Sequence, residues 1–287
     1  MGHGPAVRRR KLGEELRKLR DDAGLTSGEA ASRVGWHQSK VSRIETGRSA
    51  AKPADVARLL DAYDAHDPQL RDLLQALADS ADRGGVGWAH AYRGLLPPQY
   101  RDFISLESQA CSARTLETSV VPGLLQTPDY ARAVTRAALR GLSPETVDAL
   151  VEVRIARQEV LRVDPPLVLS AVLDEAVVRR WVGGRAAMRE QLRHLLEVAA
   201  LPHVRLQVIP FHCGGYVGLT GPFIVFSFPA ISDLDVVVID HLTSSLYLER
   251  REDLTAYSAA FETVQALALS SENSLDLIAR AAREGPG

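Results

Sequence analysis

Cysteine is scarce. Cys111 and Cys213 are the only two in 287 residues, they lie far apart, and neither has the spacing of a metal ligand. A disulfide framework and a zinc site are thereby excluded, and a reducing compartment fits the chain best. Long apolar runs are missing too: no stretch of about 18 uncharged apolar residues is available to span a bilayer. Arg8, Arg9, Arg10 and Lys11 are followed by no apolar segment of the leader-peptide kind. The expectation is a soluble, unsecreted, cytoplasmic chain with no membrane partner. Catalytic signatures are absent as well. The glycine-rich run CGGYVGLTG, residues 213–221, lacks the Lys-Ser/Thr pair of a phosphate loop and reads as a mobile loop between strands. His212-Cys213, Asp174-Glu175 and Asp240-His241 stand near strand ends, in spacings that match no known nucleophile-base or metal mechanism. No enzyme activity, cofactor or metal is expected.

Charge is what the sequence distributes unevenly. The overall balance of −2 conceals a division: residues 1–52 hold 12 Lys/Arg against 6 Asp/Glu, a net +6, while residues 53–287 hold 22 against 30, a net −8. Such a segment is either a solvated basic helix or a polyanion-binding module joined to a body that binds no polyanion. A chain of this length accommodates two domains.

Helix signals fill the first 82 residues. Leu12, Leu16 and Leu19 stripe a helix over 7–23, with Gly24 as its C-cap. Thr26 and Glu29 have the capping-box spacing that opens a second helix, whose Ala30, Ala31 and Val34 form a narrow face. Gly35 ends it. A third helix begins at His37 or Gln38, turns Val41 and Ile44 inward, and ends at Glu45. Pro53 and Pro68 start a fourth and a fifth. Helix, tight glycine turn and short helix is the arrangement that places a helix in a DNA major groove. On that geometry Gln38 reaches adenine and Lys40 guanine, with Ser39 and Ser42 reading bases or packing on the sugar-phosphate wall. Arg43, Arg48 and Lys52 suit phosphates. Trp36 is either a packing residue or a DNA contact.

The run LRKLRDDAGLTSGEAASRVGWHQSKVSRIETGR resembles the Cro/phage-repressor, or XRE-type, helix-turn-helix domains. That resemblance implies double-stranded DNA as partner, with Thr26 and Ser27 at phosphates beside the residues already named. Ser27 stands where the family usually has a Gln that fixes the second helix on a phosphate, and His37 where a Ser or Thr usually caps the recognition helix. A single helix-turn-helix contacts few bases, so a homodimer on an inverted repeat is expected.

A glycine-rich linker over 83–97 is expected next, and then an α+β domain over 98–287 with one small sheet packed by helices. LLPPQYRDFISLESQACSARTLE begins a new helix after Pro97-Pro98; further helices open at Thr127-Pro128 and Ser143-Pro144. Strands are expected over 167–174, 204–211, 222–229 and 235–241, with a short SLYLE after them. Helices are expected over RAAMREQLRHLLEVAAL, over REDLTAYSAAFETVQALAL, and near 274–283. The motifs VPGLLQTPDYARA, RIARQ, LDEAVVRRWVGG, VIPF and GPFIVFSFP resemble those of a C-terminal domain of actinobacterial XRE-type regulators, including the WhiJ-like group. This implies a developmental or antitoxin-like transcription regulator, nucleoid-associated in the cytoplasm and often paired with a small partner protein. Glu175, Arg179, Tyr216 and Tyr247 are the candidate ligand or partner residues. The readings left open are a regulator, most simply a repressor, controlled by a partner or ligand, and an antitoxin-like docking module whose DNA binding serves autoregulation.

Overall fold

The computed structural model describes residues 4–78, 96, 98–228, 235–241 and 244–284. The expected Asp82 boundary and, apart from Leu96, the linker over 83–97 lie outside the described residues. The chain divides into two compact units, 1–109 with 228–234, and 110–227 with 235–287.

In the first unit α1 (Gly4–Asp22), α2 (Ser27–Val34), α3 (Gln38–Glu45), α4 (Pro53–Ala62) and α5 (Pro68–Ala78) follow the expected order. The local reasons are those legible in the sequence. Thr26 Oγ1 accepts the Glu29 N–H while Glu29 accepts the Thr26 N–H, a complete capping box. Gly35 ends α2 at φ 69°, where its N–H reaches the carbonyls of Ala31 and Ser32. Leu12, Leu16, Ala30, Ala31, Val41, Ile44, Val56, Leu59 and Leu74 fill the core between these helices. Helix α6 (Pro98–Glu107) packs on α1 and joins this unit.

The helix expected after Pro97-Pro98 begins at Pro98. It stops at Glu107, and Ser112–Glu117 form strand β1. Its polar sequence, SARTLE, lacks the β-branched signature of a strand; pairing on both sides, with β2 and β4, makes it one.

The second unit is built on one sheet packed by helices, as expected; it has six strands in the order β3-β2-β1-β4-β5-β6. Its other strands are β2 (Val168–Asp174), β3 (Val204–Ile209), β4 (Phe223–Ser227), β5 (Val236–Asp240) and β6 (Ser245–Leu248). β1, β2 and β3 are parallel, and β4, β5 and β6 continue antiparallel from β1. The parallel half needs crossovers. α7 (Pro128–Ala138) and α8 (Pro144–Ala156) connect β1 to β2; α9 (Glu175–Arg179), a short helix not expected, and α10 (Gly184–Val198) connect β2 to β3. One sheet face, with Leu116, Val172, Phe223, Val225 and Val237, packs against Phe261 and Val264 of α11 (Arg251–Leu267). The β3 edge is covered rather than left open: the Val208 N–H donates to Ser274 Oγ of α12 (Ser271–Glu284) at 2.9 Å, and its carbonyl accepts the Leu269 N–H.

Between β1 and α7 the chain runs through the interior, where every backbone polar group needs a partner. Side chains of the VPGLLQTPDYARA and RIARQ motifs supply several. Gln126 Nε2 donates to the Val121 carbonyl at 2.6 Å, and Tyr130 Oη accepts the Val121 N–H at 3.1 Å. Gln158 Nε2 donates to the Gln126 carbonyl at 2.7 Å, and Arg154 to Gln126 Oε1 at 2.9 Å. From α10, Gln191 donates to the Leu125 carbonyl at 2.6 Å and accepts the Thr127 N–H at 2.8 Å.

Gln191 is 0% exposed, so Gln191→Leu strands one buried carbonyl and one buried N–H. The expected cost is about 2–4 kcal/mol, read as a lower urea midpoint at an unchanged m-value.

Candidate nucleic-acid interface

The position of α3 is set from beneath by a buried ion pair. Arg20, near the end of α1, donates through Nε to Glu45 Oε1 at 2.8 Å and through Nη2 to Oε2 at 3.0 Å. Glu45 is the last residue of α3 and is 5% exposed; Arg20 is 7% exposed. The same guanidinium holds the Leu25 carbonyl at 2.7 Å, and Tyr63, which follows α4, donates to Glu45 Oε1 at 3.3 Å. The hydrogen bond with Glu45 raises the Arg20 pKa against the opposing effect of burial. Burial, followed by the charge of Glu45, raises that of Tyr63. Close backbone approach completes the joint: a Cβ at Gly13 would lie 2.5 Å from the carbonyl oxygens of Ile44 and Glu45.

With Val41 and Ile44 turned inward, α3 exposes Gln38, Ser39, Ser42 and Arg43, and Arg48 and Lys52 follow, also exposed. These six of the nine expected contact residues share one solvent-facing region. The other three have partners within the protein. Ser27 Oγ accepts from Gln38 Nε2 at 2.9 Å, so the serine that replaces the usual glutamine orients the first side chain of the recognition helix. The Thr26 hydroxyl is committed to the capping box. Lys40 faces α4, with Nζ 3.0 Å from Asp55 Oδ1 and 3.6 Å from the centre of the Trp36 ring. Trp36 is half-buried and packs against this ammonium and, at 5.3 Å, the Arg58 guanidinium. His37 occupies the N-cap of α3 and makes no side-chain cap bond.

In the second unit the structure joins three of the four candidate residues. Tyr216 donates to Asp174 Oδ2 at 2.6 Å, and the Phe211 N–H donates to Glu175 Oε2 at 2.9 Å. Arg179 bridges Glu175 at 3.1 Å and Glu284 at 2.9 Å. These contacts fasten the 211–221 segment, which contains two short 3-10 turns, to the carboxyl end of β2. Tyr247 is apart, on β6, four strand positions from β2, or about 19 Å at ordinary strand spacing. The Cys213 side chain packs against the sheet core instead of pairing with the exposed His212. Among the described residues no group of His, Cys, Asp and Glu side chains forms a metal site, and no helix is long and apolar enough to cross a membrane.

Sequence reasoning passed over Glu117, the last residue of β1. Burial pushes its carboxyl up to about 8, against the Thr115 hydrogen bond and with the charge of Asp240 adding to the rise.

Residues 11–74 match the helix-turn-helix domain model, and residues 100–280, more than half of the chain, match the model described as Domain of unknown function (DUF5753). The chain belongs to the DUF5753 family, and its N-terminal module is that of a DNA-binding regulator. No curated protein and no solved structure matches it.

Two outcomes follow from the buried groups. Arg20→Met leaves the Glu45 carboxylate buried without its counter-ion and should cost about 3–5 kcal/mol in thermal unfolding, most of it recovered in Arg20→Met/Glu45→Met. For Glu117 the folded value of about 8 exceeds the ordinary 4.5. The folded state therefore keeps a proton that the unfolded chain releases. Its contribution is full below the ordinary value, declines as pH rises through the interval, and is lost above the folded value. Urea unfolding between about pH 5 and about pH 9 should show this decline in the wild type and lose that component in Glu117→Gln.

Proposed function

We propose that the protein is a sequence-specific transcription repressor that binds an inverted repeat as a homodimer and is controlled, through its DUF5753 domain, by a small partner protein or a ligand. The observation that carries this reading is the exposed set Gln38, Ser39, Ser42 and Arg43 on a helix whose inner side is fixed by Arg20 and Glu45. A helix laid in the major groove offers its N-terminal side chains to base edges. Gln38 can form two hydrogen bonds with adenine while its amide remains oriented by Ser27. Arg48 and Lys52 stand outside the helix and carry no ion pair among the described residues, which suits phosphates. Dimerisation supplies the number of base contacts that one module lacks, with half-sites about one or two helical turns apart. The protein acts by binding rather than by catalysis, in the cytoplasm and at the nucleoid. Arg179 and Tyr216, held at the carboxyl end of β2 together with the buried Glu175, mark the region through which the second unit would receive its partner or ligand.

The reading is tested by immunoprecipitating the tagged chain and identifying both DNA and protein in one eluate. Sharp enrichment over an inverted repeat supports it; a stoichiometric protein without enriched DNA favours the antitoxin-like docking role. On a selected site, Gln38→Ala should cost about 1–3 kcal/mol and relax base choice at one position per half-site. Arg48→Ala should weaken all sequences alike and reduce the salt slope by about 1. Identical effects from the two substitutions would overturn the division between reader and anchor.

A further inference from the structure

We infer that Asp55 determines which side chains α3 offers to DNA by withholding Lys40 from the duplex; this rests on the DNA-binding reading above. By its place in the sequence, third in α3, Lys40 is a base reader. Its geometry is otherwise. The ammonium lies 3.0 Å from Asp55 Oδ1 and 3.6 Å from the centre of the Trp36 ring, held by a carboxylate and an aromatic face together. Asp55 is itself fixed: its Oδ2 accepts the N–H of Lys52 at 3.3 Å, at the start of α4. That bond anchors the carboxylate at the start of α4, where it meets the Lys40 ammonium.

Three consequences of release act in the same direction. The ion pair and the aromatic contact are both lost, and an uncompensated carboxylate is left on the side of the domain that approaches phosphates. Lys40 and Asp55 thus enter the interface as a neutral pair. The cations available to the duplex from this region are Arg43, Arg48 and Lys52, and base reading falls to Gln38, Ser39 and Ser42. Gln38 recognises adenine, whereas Lys40, the side chain suited to guanine, is withheld. Asp55 is in this sense a positioning residue for specificity, acting through Lys40 without touching DNA.

The test measures log K against log salt for the full-length protein on a fluorescein-labelled random-sequence duplex of about 30 base pairs. Wild type, Lys40→Met, Asp55→Asn and the double variant are compared. Asparagine keeps an oxygen for the Lys52 N–H and removes the charge; circular dichroism and the urea midpoint verify folding. In the wild-type background Lys40→Met uncovers the Asp55 carboxylate and should weaken binding to all sequences alike, so the double variant, which removes both charges of the pair, is the control for Lys40 itself. Asp55→Asn should steepen the slope by about 1, the signature of one additional phosphate contact, and the double variant should return to the wild-type slope. Selection from a randomised duplex pool should show guanine gained at one position per half-site in Asp55→Asn alone.

A double variant whose slope falls about 1 below that of the wild type would show that Lys40 already engages DNA, and would overturn the inference. An unchanged slope in Asp55→Asn would do the same. So would a steeper slope persisting in the double variant, because the effect would then be that of removing a negative charge. If the wild-type protein binds no duplex at any salt, the DNA-binding reading itself fails, an outcome distinct from the other three.

Discussion

The geometry of the N-terminal unit depends on one buried ion pair. Arg20 reaches from α1 to Glu45 at the end of α3, the same guanidinium holds the Leu25 carbonyl at the entry to α2, and Tyr63 brings the end of α4 to the same carboxylate. A buried pair of this kind adds little net stability compared with apolar residues of the same shape, because both ions are desolvated. What it supplies is position. Directional bonds at both carboxylate oxygens fix the rotation of α3 about its axis, and the missing side chain of Gly13 lets α1 close over the helix end. The exposed row from Gln38 to Arg43 faces solvent as a consequence.

The basic character of the first 52 residues is divided among different tasks. Arg20 is internal, and Arg33 donates to the backbone carbonyl of Ala62. Lys40 neutralises Asp55. The cations that remain on the exposed region are fewer than the net +6 suggests, and they flank the reading residues instead of replacing them. Net charge explains attraction to a polyanion; the arrangement of partners decides which cations touch it.

The second unit solves a different problem. Its parallel half requires long crossovers, and one of these passes through the interior as an irregular segment, residues 121–127. Irregular backbone has no ladder to satisfy it, so Gln126, Gln158 and Gln191 do so from the segment itself, the 3-10 turn after α8, and α10. VPGLLQTPDYARA contributes Gln126 and Tyr130 to that network, and RIARQ contributes Arg154 and Gln158. Tyr216, Glu175 and Arg179 form a second polar joint at the carboxyl end of β2, where they secure the 211–221 segment beside the sheet. Desolvation of the Glu117 carboxyl at the end of β1 introduces a protonation-dependent element in the same unit.

The amino-acid sequence by itself determined the features that local chemistry controls. The Thr26–Glu29 capping box, the left-handed Gly35, the prolines at 53 and 68, the apolar run of β2 and the β-branched run of β5 act within a few residues of themselves, and each element formed where those signals stand. The 3.6-residue period likewise separated Val41 and Ile44 from Gln38, Ser39, Ser42 and Arg43. Tertiary structure alone decided the rest. SARTLE became a central strand because β2 and β4 lie on either side of it. Glu45 found Arg20 25 residues away, and Lys40 was drawn from the reading face by Asp55 15 residues away. Capping and periodicity are short-range constraints carried by neighbouring residues. The pairing of strands and the choice of a charge's partner depend on which segments meet in space, and a linear pattern does not specify that.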